Sequence, residues 1–228
     1  MLRLTLFDLD HTLLDGDSDV LWCEFLMAQG VLDRATFSAR NDAMAHGYQA
    51  GSVTVAEFCT FYVSTLAGRP RVAWEPLRRR FLDEVIAPRL ADDAHALVRR
   101  HLDAGELVVM STATNRFITE LTAAHLGIPH LIATECERVG QGDGEHFTGR
   151  TLGTPNMRDG KVARLHDWLS QRRMALDDCV STFYSDSMND LPLLEAVRHP
   201  VAVCPDERLA AIAAERGWQV LALQRRGD

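Results

Sequence analysis

The sequence predicts an open, doubly wound α/β sheet of parallel strands, Rossmann-like in layout, with a helical domain inserted after the first strand and a β-hairpin excursion farther on. Three observations carry this prediction. Short, nearly continuous apolar runs, "LRLTLF", "ELVVMS", "STFYSD" and "HPVAVC", recur between segments of helical period, as a parallel sheet covered on both faces requires. From Thr12 to Glu106 no strand pattern appears, only helical spacing. The stretch "CERVGQGDGEHFTGR" places four glycines between alternating apolar and polar residues, a hairpin pattern with a flexible tip.

Taken in order, the first strand runs into an acidic cluster, with five aspartates between Asp8 and Asp19. Next come "DVLWCEFLMAQG", "VAEFCTFYVSTLAG" and "PLRRRFLDEVIAPRL", each with apolar residues at three- and four-residue intervals. This block exceeds what the sheet can absorb, so residues 17–88 are expected to form a helical cap, and 1–16 with 89–228 the core. Pro70, Pro76 and Pro88 are read as its punctuation, and the arginine run at 78–80 as a solvated helix face. "HLIAT" and "WQVLAL" complete the strand set.

Composition narrows the function classes. The chain has 228 residues, 46% hydrophobic and 25% charged, with net charge -8, a globular balance that disfavours nucleic acid as a partner. Five scattered cysteines without a CxxC pair suggest neither a zinc site nor a disulfide framework. No run approaches the ~18 apolar residues of a membrane span, and the N-terminal residues lack a signal-peptide pattern. The expectation is a cytoplasmic protein without a membrane or nucleic-acid partner, acting as a monomer or homodimer.

In open α/β sheets ligands bind beyond the carboxyl ends of the strands. Those ends carry Asp8 and Asp10, then Ser111 and Thr112, then Asp186 and Asp190, while Lys161 begins the helix before the last of these strands. Carboxylates sharing a pocket repel one another unless a cation intervenes. A hard divalent ion such as Mg²⁺, which takes few protein carboxylates plus a phosphate oxygen, suits that set. The parts are those of a phosphoryl-transfer site: nucleophile, acid/base, cation, lysine and hydroxyl. Lys161 is the only lysine in the chain. His11, between the motif residues, is expected to stay outside the chemistry.

With its motifs in this order, the chain resembles the haloacid dehalogenase superfamily: "DLDHT" is similar to its DxDxT signature and "SDSMND" to its late acidic motif. The resemblance implies Asp8 as nucleophile forming an aspartyl-phosphate and Asp10 as general acid, then base. It implies Mg²⁺ held by Asp8, Asp186 and the carbonyl of Asp10, Ser111 on a phosphoryl oxygen, Lys161 neutralising charge, and Thr112, Asn189 and Asp190 in support. It places the chain in the phosphoserine phosphatase-like branch, subfamily IB. Asp17 stands where that branch carries a glutamate, and "SARNDAMAHGYQAGSV" lacks its carboxylate-gripping arginine.

The segments "FDLDHTLLDGDSD" and "GWQVL" resemble those of members associated with histidinol-phosphatase, so the implied substrate is a small phosphorylated metabolite, first of all histidinol phosphate. Its cation would meet Asp15, Asp17 or Asp19. The alternatives are phosphoserine phosphatase and another small-molecule phosphatase or phosphotransferase. A receiver domain uses similar residues but puts its phospho-acceptor on a middle strand and has no helical insertion. A non-catalytic phosphoryl-binding protein is disfavoured by the intact Asp8, Asp10, Lys161 and Asp186.

Overall fold

The computed structural model describes residues 1–224; the last four residues of the expected core range lie outside them. β1 (Leu2–Phe7) leads into four helices, α1 (Ser18–Ala28), α2 (Arg34–Ala50), α3 (Val55–Ser64) and α4 (Arg71–Phe81). The chain then alternates: α5 (Asp92–Asp103), β2 (Leu107–Asn115), α6 (Arg116–His125), β3 (His130–Val139), β4 (His146–Leu152), α7 (Asp159–Ser170), β5 (Cys179–Ser185), α8 (Leu191–Ala196), β6 (His199–Val203), α9 (Glu207–Arg216) and β7 (Gln219–Leu221).

The strands form one sheet in the order β4-β3-β2-β1-β5-β6-β7, and every pair is parallel except β3 with β4. That antiparallel pair is the expected hairpin. β1 is central, and strand order reverses on either side of it, the switch point at which such sheets open a crevice. Leu4 and Leu6 pack with α7, α8 and α9 residues such as Leu165, Leu194 and Leu209. Phe7 packs on the other face with Leu97 of α5, Phe117 of α6, and Trp22, Val63 and Trp74 of the inserted helices. The insertion therefore shares a core with the sheet.

Two expectations change. Pro76 lies inside α4 and does not end it, because a proline one turn in deprives only the carbonyl four residues back of a donor, and that residue, Val72, is exposed. Arg78 is buried. Its guanidinium donates to the Phe117 carbonyl at 2.7 Å, pairs with Glu120 and Glu75, and lies 4.5 Å from the Phe117 ring centroid. Helical periodicity assigns a face, but it does not show that the face meets α6. All five cysteines are free, and among the described residues no helix is long and apolar enough to cross a membrane.

Candidate active site

The site begins where β1 ends. Leu9, Leu13 and Leu14 are buried, and the Leu9 carbonyl accepts from the amides of Thr12, Leu13 and Leu14. His11 (φ 56°) and Gly16 (φ 134°) take the backbone through positive φ. This tight loop roots on leucine side chains and sends its flanking carboxylates, Asp8 and Asp10, to a cavity of about 700 Å³. Lys161, Asp186, Asn189 and Asp190 line the same cavity.

Lys161 is the hub. Its Nζ lies 2.7 Å from Asp8 Oδ1 and 2.6 Å from Asp190 Oδ2, with all three residues buried. Asp190 also accepts from the Ser185 hydroxyl at 2.8 Å. A Cβ on Gly160 would overlap the carbonyl oxygen of Pro155; glycine there lets the start of α7 close on the preceding turn and delivers Lys161. Thr12 joins the first and last motifs: its hydroxyl donates to Asp186 Oδ1 at 2.8 Å and accepts from the Asp186 amide at 3.0 Å. The Asp10 carboxylate accepts from the Ser18 amide at 2.7 Å and the Thr114 hydroxyl at 2.9 Å, with Thr112 at 3.4 Å.

Electrostatically the site has one ammonium for several carboxylates. Burial raises the Asp8 pKa well above the usual carboxylate range; Lys161 opposes this, while Asp190, Asp186 and Asp10 add to it. Burial also raises Asp186 to about 7, against the Thr12 hydrogen bond and with Asp190 adding. For Lys161 burial works against the charge, but Asp190 and Asp8 outweigh it and its pKa rises. This excess of buried negative charge, carried by oxygen donors only, fits a hard cation beside Asp8 and Asp186.

The haloacid dehalogenase-like hydrolase profile matches residues 5–195, more than half of the chain. The chain belongs to this family. It is 38% identical to a histidinol-phosphatase of Neisseria meningitidis over 222 residues, covering 97% of this chain and 99% of that one. It is 33% identical to a phosphoserine phosphatase of Mycobacterium tuberculosis, over 94% of this chain and 68% of the relative. A crystal structure of a Bordetella pertussis protein with unknown function matches with TM-score 0.89 at 44% identity, covering 97% and 99% of the two chains. A substrate-bound phosphoserine phosphatase matches with TM-score 0.67 at 17% identity over 99% and 94%, a likeness of fold.

In this hydrolase the three later aspartates, spaced by two, part company. Asp17 lines the cavity and caps α1, accepting from the Asp19 and Val20 amides at 2.9 and 3.0 Å. Burial, with Asp10 adding, raises its pKa to about 7. Asp19 is buried and accepts from Asn115 at 3.3 Å, away from the cavity wall. Asp15 lines a separate small cleft with Arg89 and Leu223.

Ser111 is fully buried, and its hydroxyl accepts from Asn156 Nδ2 at 3.1 Å; it does not line the cavity. Thr114 does. The β2–β3 register shifts between Thr112 and Asn115, an irregularity of the kind found beside active sites, and this brings both threonines to Asp10. Asn189 is at the cavity wall, its side-chain oxygen 3.0 Å from Arg158 Nε. Asp190 precedes α8 but makes no side-chain cap bond; its oxygens serve Lys161 and Ser185. Sequence reasoning passed over Thr114, Asn156 and Tyr48. "STATN" offers several hydroxyls without saying which reaches the site, and Tyr48 lies in a helix that carries no motif.

Proposed function

We propose that this hydrolase is a Mg²⁺-dependent phosphomonoesterase acting on a small phosphorylated metabolite through an aspartyl-phosphate, with histidinol phosphate as its first substrate. The observation that carries the reading is the Lys161 ammonium held between Asp8 and Asp190 beside Asp186, in a cavity with room for a metabolite.

Asp8 attacks phosphorus: an O–P bond forms at Oδ2, the oxygen that Lys161 does not hold, and the ester O–P bond breaks. This divides one difficult displacement into two easier ones. Asp10 gives its proton to the departing alkoxide and then takes one from the attacking water, and Ser18, Thr114 and Thr112 hold it in place for both transfers. Lys161 stays charged beside Asp8 and offsets the negative charge that accumulates there. Asp8, Asp186 and the Asp10 carbonyl would hold Mg²⁺, which when bound neutralises phosphoryl charge. Ser111 acts with Asn156 from behind β2, fixing the strand end from which Thr114 projects. Residues 17–88 act as the cap that closes the site.

The family and the relatives named phosphatase support the reaction class. The histidinol-phosphatase relative and the acidic cavity, with Asp17 on its wall, favour a cationic alcohol as leaving group. The test is phosphate release from a metabolite panel containing histidinol phosphate and phosphoserine, with Mg²⁺ and with EDTA. Wild-type turnover abolished by EDTA and by Asp8→Asn is expected. Turnover retained by folded Asp8→Asn excludes the nucleophile, and phosphoserine preferred over histidinol phosphate excludes the substrate.

A further inference from the structure

Part of the cavity wall is aromatic and comes from the inserted helices. Tyr48 of α2 and Phe58 of α3 line the same cavity as Asp8 and Lys161, with Val20, Leu21 and Ala45 beside them. The Tyr48 and Phe58 ring centroids are 4.3 Å apart. Phe58 is backed edge-on by Tyr62, with centroids at 4.9 Å, so the pair rests on a packed aromatic cluster. Gly47 holds Tyr48 in place: it is buried against Val53, and α2 ends at Gly51 in a left-handed turn.

This wall is not needed for phosphoryl chemistry, which the strand-end residues supply. Seven acidic residues line the cavity, Asp206 and Glu207 among them, against Lys161 and Arg208, and Lys161 is already committed to Asp8 and Asp190. Burial and the charges of Asp190 and Asp8 raise the Tyr48 pKa, so its hydroxyl stays protonated in the cavity that those carboxylates also line. A flat, positively charged group on the substrate alcohol gains from both the aromatic faces and the acidic surround, through cation–π and offset-stacking contacts.

We propose that Tyr48 and Phe58 form a subsite for a flat, protonatable ring on a cationic leaving alcohol, making these two residues determinants of substrate choice. This rests on the phosphatase reading and adds to it residues that no motif contains.

The test compares kcat/KM for L-histidinol phosphate and O-phosphoethanolamine, which share the phosphate ester and ammonium but differ in the ring. The wild type is expected to favour the ring-bearing ester. Tyr48→Leu should lower the ratio about tenfold, and Tyr48→Phe should keep most of it, since a single well-placed aromatic contact carries effects of about this size. Phe58→Leu provides a second lowering. A wild type without preference, or a ratio unmoved in both leucine variants, overturns the subsite while the phosphatase reading stands. If no ester releases phosphate, that reading fails instead. Calorimetric titration of the wild type and Tyr48→Leu with L-histidinol and with ethanolamine then decides the subsite: weaker histidinol binding in the variant supports it, and equal binding overturns it.

Discussion

Replacing Asp17 with asparagine separates the cost of its charge from its role as a cap. Asparagine caps helices about as well as aspartate, so the amides of Asp19 and Val20 keep an acceptor and α1 keeps its start. What disappears is a carboxyl whose pKa rises on folding from its ordinary 3.8 to about 7. Such a group binds more protons folded than unfolded, so its contribution is intact below pH 3.8 and is lost as pH climbs through about 7. At about 1.4 kcal/mol per pH unit, the ionised carboxyl costs the fold at most about 4 kcal/mol at pH 8. Asp17 is only partly buried and water reaches it, so about 2 kcal/mol is expected. Urea denaturation of metal-free protein should find Asp17→Asn about 2 kcal/mol more stable than wild type at pH 8, with less than half that gain at pH 4. An Asp17→Asn protein no more stable at pH 8, or equally stabilised at both pH values, would refute the reasoning. The same variant should raise KM for histidinol phosphate more than it lowers kcat.

Lys161→Met leaves Asp8 and Asp190 buried without their shared cation, and should cost about 3–5 kcal/mol of metal-free stability at pH 8, read by thermal unfolding, together with all measurable phosphate release. Gly160→Ala forces a methyl group onto the Pro155 carbonyl, and should lower stability and activity together in a way that no side-chain movement relieves. Gly47→Ala instead meets the Val53 side chain. It should cost about 1–3 kcal/mol in urea denaturation, with Val53→Ala restoring most of the loss in the double variant. Arg78→Met removes the donors to the Phe117 carbonyl and Glu120, and should destabilise by about 2–3 kcal/mol while Arg78→Lys fails to restore full stability.

The sheet and the polar residues gathered at the cavity were legible in the sequence because parallel strands make them so. Each βαβ unit returns to the same edge, so polar residues just past successive apolar runs converge on one crevice wherever the chain goes between. Asp8, Asp10, Asp186, Asp190 and Lys161 could therefore be placed together from order alone. Tertiary structure decided the rest. Ser111 and Thr114 both offer a hydroxyl from the same strand, and the register shift between Thr112 and Asn115 accompanies the turn of the threonine to the cavity. Asp15, Asp17 and Asp19 share a spacing, but the start of α1 turns Asp17 to the cavity, Asp19 toward Asn115 and Asp15 to a separate cleft. Tyr48, Phe58 and Arg78 sit in helices whose periodicity defines faces but not what those faces meet. Only the packing of the inserted helices turned one aromatic pair toward the aspartates and one arginine into the core. Order along the chain determines which strand ends meet; contact between elements far apart in that order determines which side chains they present.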